Sequence, residues 1–360
     1  MGSTALNNIN QLTPDNLAIR DLRELLFLEV LQAGAINEIV DLNYGVLNGA
    51  HLGGVGEFGL LGEDKAMCRP TFNNTNLATQ QKIWELGRIV VAEEMCADDF
   101  ESTVAKFSMK TGTDRADLTQ TDLLSYIIEP RLKTAIEKMI WRVSWFGDKA
   151  AQNVYDGGII KDGIDVKFFT MADGLFKKLF AITAANTKQR VTIAANTAAT
   201  YTAQRDNMRA SGAATGVIDA LVYNANPILR QAEGRFILCT QSFADALAID
   251  IKANNKGSDL QWQSLFGGLA YATEYNGEKL IRLPIWDEMI QAFEDNGTTL
   301  NKPHRALFCT KDNLKVGFES SNLMPDLKIW FSEDDQTNKI LGRDKMGTLT
   351  WQDELIQFAY

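Results

Sequence analysis

The feature that most constrains this chain is a single long helical period. Leu123, Leu124, Ile127, Ile128, Leu132, Ala135, Ile136, Met139, Ile140 and Val143 keep one apolar face for more than about 20 residues. Thr121 suits an N-cap, and Asp122 comes next in the first turn, where the helix dipole favours negative charge. Gly147 ends the pattern. Pro130 lacks a backbone donor, so it should kink the helix or mark a fresh start. A helix over residues 122–146 would span on the order of 35 Å. The fold must be built around that beam.

The stretch before it has the opposite character. Gly45, Gly49, Gly53, Gly54, Gly56, Gly59 and Gly62 recur through residues 43–80, with an Asn/Thr-rich run from Thr71 to Thr79. No long helix survives so many glycines. An extended loop or hairpin projecting from the body is expected, with a strand from Trp84 to Val91 leading back. Upstream, residues 17–40 read as a helix with Leu22, Leu25, Leu26, Val30 and Ala33 on one face, Asp15 being its cap. Two readings stay open for it: an ordinary core helix, or an arm packed on a neighbouring subunit.

Downstream, the texture is mixed. Residues 181–215 are rich in Ala and Thr, and AANT occurs at 184–187 and again at 194–197, an offset that fits two arms of a surface hairpin or an extended loop better than a solenoid repeat. From Thr215 the pattern predicts helices at Val217–Asn224 and from Pro227, a buried strand at Phe236–Cys239, and a helix at Gln241–Asn255. Asn276-Gly277 between Leu269–Tyr275 and Glu278–Leu283 is a two-residue hairpin signal. A helix at Ile285–Glu294 and strands at Arg305–Thr310, Leu327–Ser332 and Lys339–Gly342 complete the chain. The fold class is α+β with antiparallel character.

Composition sets outer limits. The 360 residues carry 36 Lys and Arg against 46 Asp and Glu, a net charge of −10, which argues against a globally basic nucleic-acid or membrane surface. Length suggests about two domains, or one elaborated one, with a core that needs no disulfides. No apolar run reaches the ~18 residues of a membrane span; Leu25–Ile36 is broken by Glu29, Gln32 and Gly34. The N-terminus has neither the basic start nor the apolar stretch of a secretory signal, so synthesis in the cytoplasm is expected. Cys68, Cys96, Cys239 and Cys309 form no Cys-x-x-Cys pair and are expected to be reduced and mostly buried.

The search for chemistry yields little. Gly54-Val55-Gly56-Glu57-Phe58-Gly59 matches G-x-G-x-x-G, but a dinucleotide site needs a strand before it and a helix after it, and Gly62 interrupts the stretch where that helix would start. His51 and His304 are the only histidines, too few for a multi-histidine metal site. His304, directly before an apolar strand, is a candidate general base, with a structural histidine the preferred reading. The acidic runs Glu93, Glu94, Asp98, Asp99, Glu101 and Glu333-Asp334-Asp335 lack the ligand spacing of a hard-cation loop and read as solvated charge. Seven scattered tryptophans have no basic interleaving for base stacking and read as core. No catalytic, cofactor-binding or metal-binding residue is assigned, and no cofactor is expected.

Several phrases, taken together and in order, resemble the major capsid proteins of tailed bacteriophages, especially phages of Bacteroidota including the crAss-like group. They are Cys96 with Phe100-Glu101-Ser102-Thr103, Asp117-Leu118-Thr119 with Thr121-Asp122, and Trp145-Phe146-Gly147-Asp148. Further on come Leu283-Pro284-Ile285-Trp286-Asp287, the run Asn301 to Glu319, and the ending Phe358-Ala359-Tyr360. The resemblance covers residue 90 onward and implies the HK97-type capsid fold. Its parts would be an N-terminal arm at 1–42, an extended loop at 43–90, and a peripheral domain with the spine helix at 91–155. An axial domain at 156–305 would come next, then C-terminal strands at 306–360 shared between the two domains.

The function so implied is mechanical. Many copies, as pentamers and hexamers, would close into an icosahedral shell around double-stranded DNA. Portal, scaffold or decoration proteins are implied as partners, and a membrane is not. An acidic chain would enclose DNA without gripping it, since a basic lining would bind phosphates tightly. The shell would assemble in the host bacterial cytoplasm and persist as the virion capsid. The alternatives are an encapsulin-like nanocompartment, another virion component such as a tail protein, and an enzyme of unknown class using a pocket around His304.

Overall fold

A computed structural model describes residues 36–58, 77–96, 129–255, 260–265, 270–321 and 328–360, apart from Ser211, Glu333 and Gln336. The first strands are β1 (Asp41–Tyr44), β2 (His51–Phe58), β3 (Leu77–Ile83) and β4 (Gly87–Cys96). Helices α1 (Glu129–Phe146) and α2 (Leu175–Ala185) come next, then β5 (Arg190–Val191), α3 (Tyr201–Met208), α4 (Ala213–Tyr223) and α5 (Pro227–Gln231). After these lie β6 (Arg235–Thr240), α6 (Gln241–Asn255), β7 (Gln263–Leu265), β8 (Ala270–Tyr275), β9 (Glu278–Leu283) and α7 (Pro284–Phe293). The last strands are β10 (Ala306–Thr310), β11 (Leu314–Phe318), β12 (Lys328–Ser332), β13 (Thr337–Thr350) and β14 (Gln357–Ala359).

The apolar run at Phe236–Cys239 has no polar alternation, which fits a strand covered on both faces. β6 is such a strand. Phe236 and Leu238 point into one hydrophobic cluster, while Ile237 and Cys239 enter another. β10 divides in the same way, Leu307 and Cys309 against Ala306 and Phe308. Both lie in a seven-stranded sheet of order β5-β14-β10-β6-β9-β8-β7. β6–β9 and β14–β5 are parallel, and the other pairings are antiparallel. α4 and α6 cover one face, through Ile218, Leu221, Phe243 and Leu247.

On the other face lie α1, α2 and α7. Trp145 meets Trp286 edge-on at 4.6 Å, and Phe176 packs on both rings at 5.2 and 4.9 Å. Rings of this size contribute roughly 2–3 kcal/mol each when buried. The same cluster continues to Val316 and Phe318 of β11, Met346 of β13 and Ile89 of β4. The beam α1 therefore shares one core with the seven-stranded sheet and with a second, five-stranded one. In that second sheet the order is β1-β11-β13-β12, with β4 on the other side of β13. The 14-residue β13 pairs β12 through residues 337–341, β11 through 346–350, and β4 through 337–346.

The hairpin signal at Asn276-Gly277 is realised: both residues have positive φ, 52° and 81°, as the tight turn between β8 and β9 requires. The helices expected from Val217, Pro227, Gln241 and Ile285 form within a few residues of their expected bounds. For the long helix, the described part is the 18 residues of α1, with Pro130 at its N-terminal end; residues 122–128 lie outside the described residues.

Other expectations need correction. The AANT repeats do not form a hairpin: the first ends α2 and enters a 3-10 turn, and the second is itself a 3-10 turn. The helix expected over 17–40 gives way to a 3-10 turn at Ile36–Glu38 and then to β1, which pairs in parallel with β11; residues 17–35 lie outside the described residues. The strand expected from Trp84 starts at Gly87, because Trp84 and Leu86 are used to fill a small core instead. The strand expected at Lys339–Gly342 is a fragment of β13.

Candidate functional site

The glycine-rich segment builds a two-stranded antiparallel pair, β2 with β3, which joins neither larger sheet. Its register runs from His51↔Ile83 to Val55↔Thr79, with an irregularity before Phe58↔Leu77. Val55, Phe58 and Ile83 are all more than half exposed (71%, 62% and 52%). Exposed apolar side chains grouped on one hairpin are what a surface awaiting a partner looks like.

The root of this hairpin is a small core of its own. Trp84, Leu86 and Leu349 are buried there, with Val46, Ala50, Leu52 and Trp351 against them. Gly317 and Gly347 face each other across β11 and β13. A methyl on Gly317 would lie 2.7 Å from the Trp84 ring, and one on Gly347 would collide with the Glu85 carbonyl. The glycine pair thus makes a flat seat for the chain that leaves the hairpin. Trp84 also donates its N–H to Ala50 O at 2.9 Å and accepts from Gly49 at 2.8 Å. Farther along the hairpin, the Trp351 ring occupies the place a side chain on Gly54 would need. Gln80 Nε2 donates to the Trp351 carbonyl at 3.1 Å, and Lys82 Nζ pairs with Asp353 at 2.6 Å.

This placement settles the G-x-G-x-x-G motif. Gly54–Phe58 is β-strand, and Gly54 is needed for an indole ring, not for a pyrophosphate; Gly59 lies outside the described residues. His51 sits on the same hairpin, hydrogen-bonded to Gln81.

His304 is elsewhere and buried, at 2% exposure. Its Nε2 is 3.0 Å from the Gln204 carbonyl, which can only accept, so Nε2 carries the proton. Nδ1 then accepts from the Ser242 hydroxyl at 3.0 Å. Burial pushes the imidazole down to about 4. A serine and a histidine in contact invite a nucleophile reading, but the remaining groups do not complete it. Asp287 does not orient His304; its carboxylate accepts the N–H groups of Gln241 and Ser242, the latter at 3.1 Å, and so caps α6. Those N–H groups are thereby taken from any oxyanion. Burial raises Asp287 to about 6 despite these bonds. The cluster is a helix cap and a structural histidine.

Beside it lies a buried ion pair. Arg305 is fully buried and bonds Glu294, the Asn301 carbonyl (2.9 Å) and the Lys302 carbonyl (2.9 Å), while its guanidinium lies 4.4 Å from the Phe176 ring centroid. Sequence reading overlooked this pair; Arg305 next to His304 at a strand start was the available signal.

The other singled-out residues do not converge. Glu93 and Glu94 are exposed on β4, Glu94 accepting from Thr337 at 2.8 Å. Asp335 is held below the usual carboxylate range by Lys339 and Ser332. Asp98, Asp99, Glu101 and Glu333 lie outside the described residues. Among the described residues no group of three or more His, Cys, Asp or Glu could hold a metal ion, and no helix is long and apolar enough to cross a membrane. Cys239 and Cys309 are free and buried. Trp141, Trp145 and Trp286 are core residues, whereas Trp330 is 42% exposed and Trp262 stacks on Arg282 at 4.7 Å.

No family model matches the sequence, and no curated protein does. Solved structures do match its shape. A structure of Gordonia phage Cozz superposes with a TM-score of 0.50 at 10% identity, over 97% of this chain and 91% of that one. Microbacterium phage Oxtober96 gives 0.50 at 10% identity, over 93% and 92%. The capsid of a native GTA particle gives 0.48 at 13%, over 99% of both chains. The first two likenesses, spanning nearly the whole chain, show a shared fold: the HK97-type capsid architecture that the resemblance implied.

Proposed function

We propose that the chain is the major capsid protein of a tailed bacteriophage, a structural subunit whose copies close into an icosahedral shell around double-stranded DNA. One observation carries this reading. The fold shared with phage particles over nearly the full chain bears a hairpin on which Val55, Phe58 and Ile83 are each more than half exposed. In a shell those side chains would lie on a neighbour, and each subunit would share a large interface made of modest contacts. On this reading β2–β3 belongs to the extended loop, α1 is the spine of a peripheral domain that includes the five-stranded sheet, and the seven-stranded sheet is the axial domain. The arm given to residues 1–42 would end where β1 begins, since Asp41 and Leu42 already pair with β11 in the five-stranded sheet. Residues 306–360 supply strands to both sheets. The surrounding partners are further copies, with portal, scaffold or decoration proteins, and the site of assembly is the host cytoplasm. The net charge of −10 suits enclosure of DNA without tight binding.

The test is assembly itself. Purified subunits, or particles from an infected host, should show shells by electron microscopy. Leu52 and Lys82 are cross-strand partners, so residues 53–81 can be replaced by an Asn-Gly turn that leaves the hairpin root intact. This variant should fold, as judged by circular dichroism, and fail to form shells. Normal shells from it would overturn the role given to the hairpin; rings, tubes or lasting monomers from the unaltered chain would overturn the capsid reading.

A further inference from the structure

The turn at residues 351–356 is the covalent link between β13 of the five-stranded sheet and β14 of the seven-stranded one. Three groups converge on it. From the hairpin come the Trp351–Gly54 contact, the Gln80 bond and the Lys82–Asp353 pair. From the approach to β11 comes Asn313, which is buried. Its Nδ2 donates to the carbonyls of Gln352 (2.9 Å) and Leu355 (3.1 Å), its Oδ1 accepts from Gln352 N–H (2.6 Å), and its carbonyl accepts from Trp351 N–H (3.0 Å). From the entry to β5 comes Gln189, whose Nε2 donates to the carbonyls of Asp353 and Ile356, the latter at 3.0 Å.

We infer that this turn is a strap coupling the position of the hairpin to the mutual arrangement of the two sheets. The reasoning is one of constraint. Among the described residues the hairpin has no strand ladder to either sheet, so its direction is set by its small root and by the strap. The strap in turn is held by two side-chain amides, Gln189 at the entry to β5 and Asn313 in the turn that joins β10 to β11, together with the Asn313 carbonyl and the buried Ile356. Such isolated bonds, each of modest net worth, release and re-form singly where a ladder would resist. A shift of one sheet against the other moves Asn313 relative to Gln189. The turn between them must move too, and with it the indole seated on Gly54. The coupling lies within one subunit and does not depend on the capsid reading.

Hydrogen exchange on dissociated subunits tests it, read by mass spectrometry over 51–58 and 77–83, with β8–β9 as the internal reference. Trp351→Ala should raise exchange in both hairpin strands about tenfold. The decisive variants are Gln189→Leu and Asn313→Ala, whose side-chain hydrogen bonds go to the turn and not to the hairpin. They should raise hairpin exchange several-fold while β8–β9 stays unchanged. A rise confined to residues 351–360, or an equal rise in β8–β9, would overturn the coupling. If Asn313→Ala does not fold, Gln189→Leu decides alone. Loss of shells has no part in this readout, so failure here is distinct from failure of the capsid reading.

Discussion

The buried pair Arg305–Glu294 offers the sharpest test of the energetics. Glu294→Gln keeps size and hydrogen-bonding capacity but leaves a fully buried guanidinium without its counter-charge. Breaking one partner of a buried pair typically costs about 3–5 kcal/mol. Here two backbone carbonyls and the Phe176 face still attend the cation, which places the expected loss near the lower end, about 3 kcal/mol. The double variant Arg305→Met with Glu294→Leu removes both charges. It leaves the carbonyls of Asn301 and Lys302 without their donor, at roughly 1 kcal/mol each, so about 2 kcal/mol in all. The double variant should therefore be more stable than Glu294→Gln alone. Urea unfolding of dissociated subunits, monitored by circular dichroism with the m-value held in common, measures both. A loss below about 1 kcal/mol for Glu294→Gln, or a double variant weaker than that single one, would refute the reasoning.

Asp287 and His304 both bond Ser242 and titrate in opposition. Asp287, raised to about 6, adds stability that is full below its unfolded value and fades as pH rises through 6; His304, lowered to about 4, adds stability that is full above its unfolded value and fades as pH falls through 4. Each is worth up to about 3 kcal/mol across the window, so the two largely cancel. Asp287→Asn should accordingly make stability fall between about pH 6.5 and 4, and His304→Gln should make it rise from about pH 6 to 4; urea midpoints across that range read both, and unchanged slopes would sink the idea. Gly317→Val should unseat the Trp84 ring and cost about 1–3 kcal/mol, seen as a lowered urea midpoint with red-shifted tryptophan emission.

How much of the fold was legible beforehand depends on how local each signal is. Asn276-Gly277 could be read because the turn depends on two adjacent residues. The helices from Gln241 and Ile285 could be read because their period lies within one segment. β6 showed as an apolar run, although the sequence alone does not reveal which residue faces which core. The strands β1, β5 and β14 escaped notice because they are two to four residues long and owe their conformation to partners far away, such as Leu42↔Val316. The AANT repeat misled because likeness of four residues says nothing of φ and ψ in different surroundings. For the site, the glycine density of 43–80 argued for an extended loop or hairpin, and the described residues of that stretch include the β2–β3 pair. That Gly54 and Gly317 make room for tryptophans could not be read, since Trp351 and Trp84 reach them only through the folded chain.

The place of β14 has a consequence for the order of events during synthesis. This strand of three residues lies inside the seven-stranded sheet, between β5 and β10, and its partners precede it in the chain by about 170 and 50 residues. The sheet therefore cannot close until residues 357–359 have been made and have reached their partners. Until then β5 and β10 present unpaired edges, and the rings that Phe358 later covers are open to solvent. Non-local pairing of this kind makes for slow folding and a period of vulnerability to aggregation. That interval is when a chaperone would matter most.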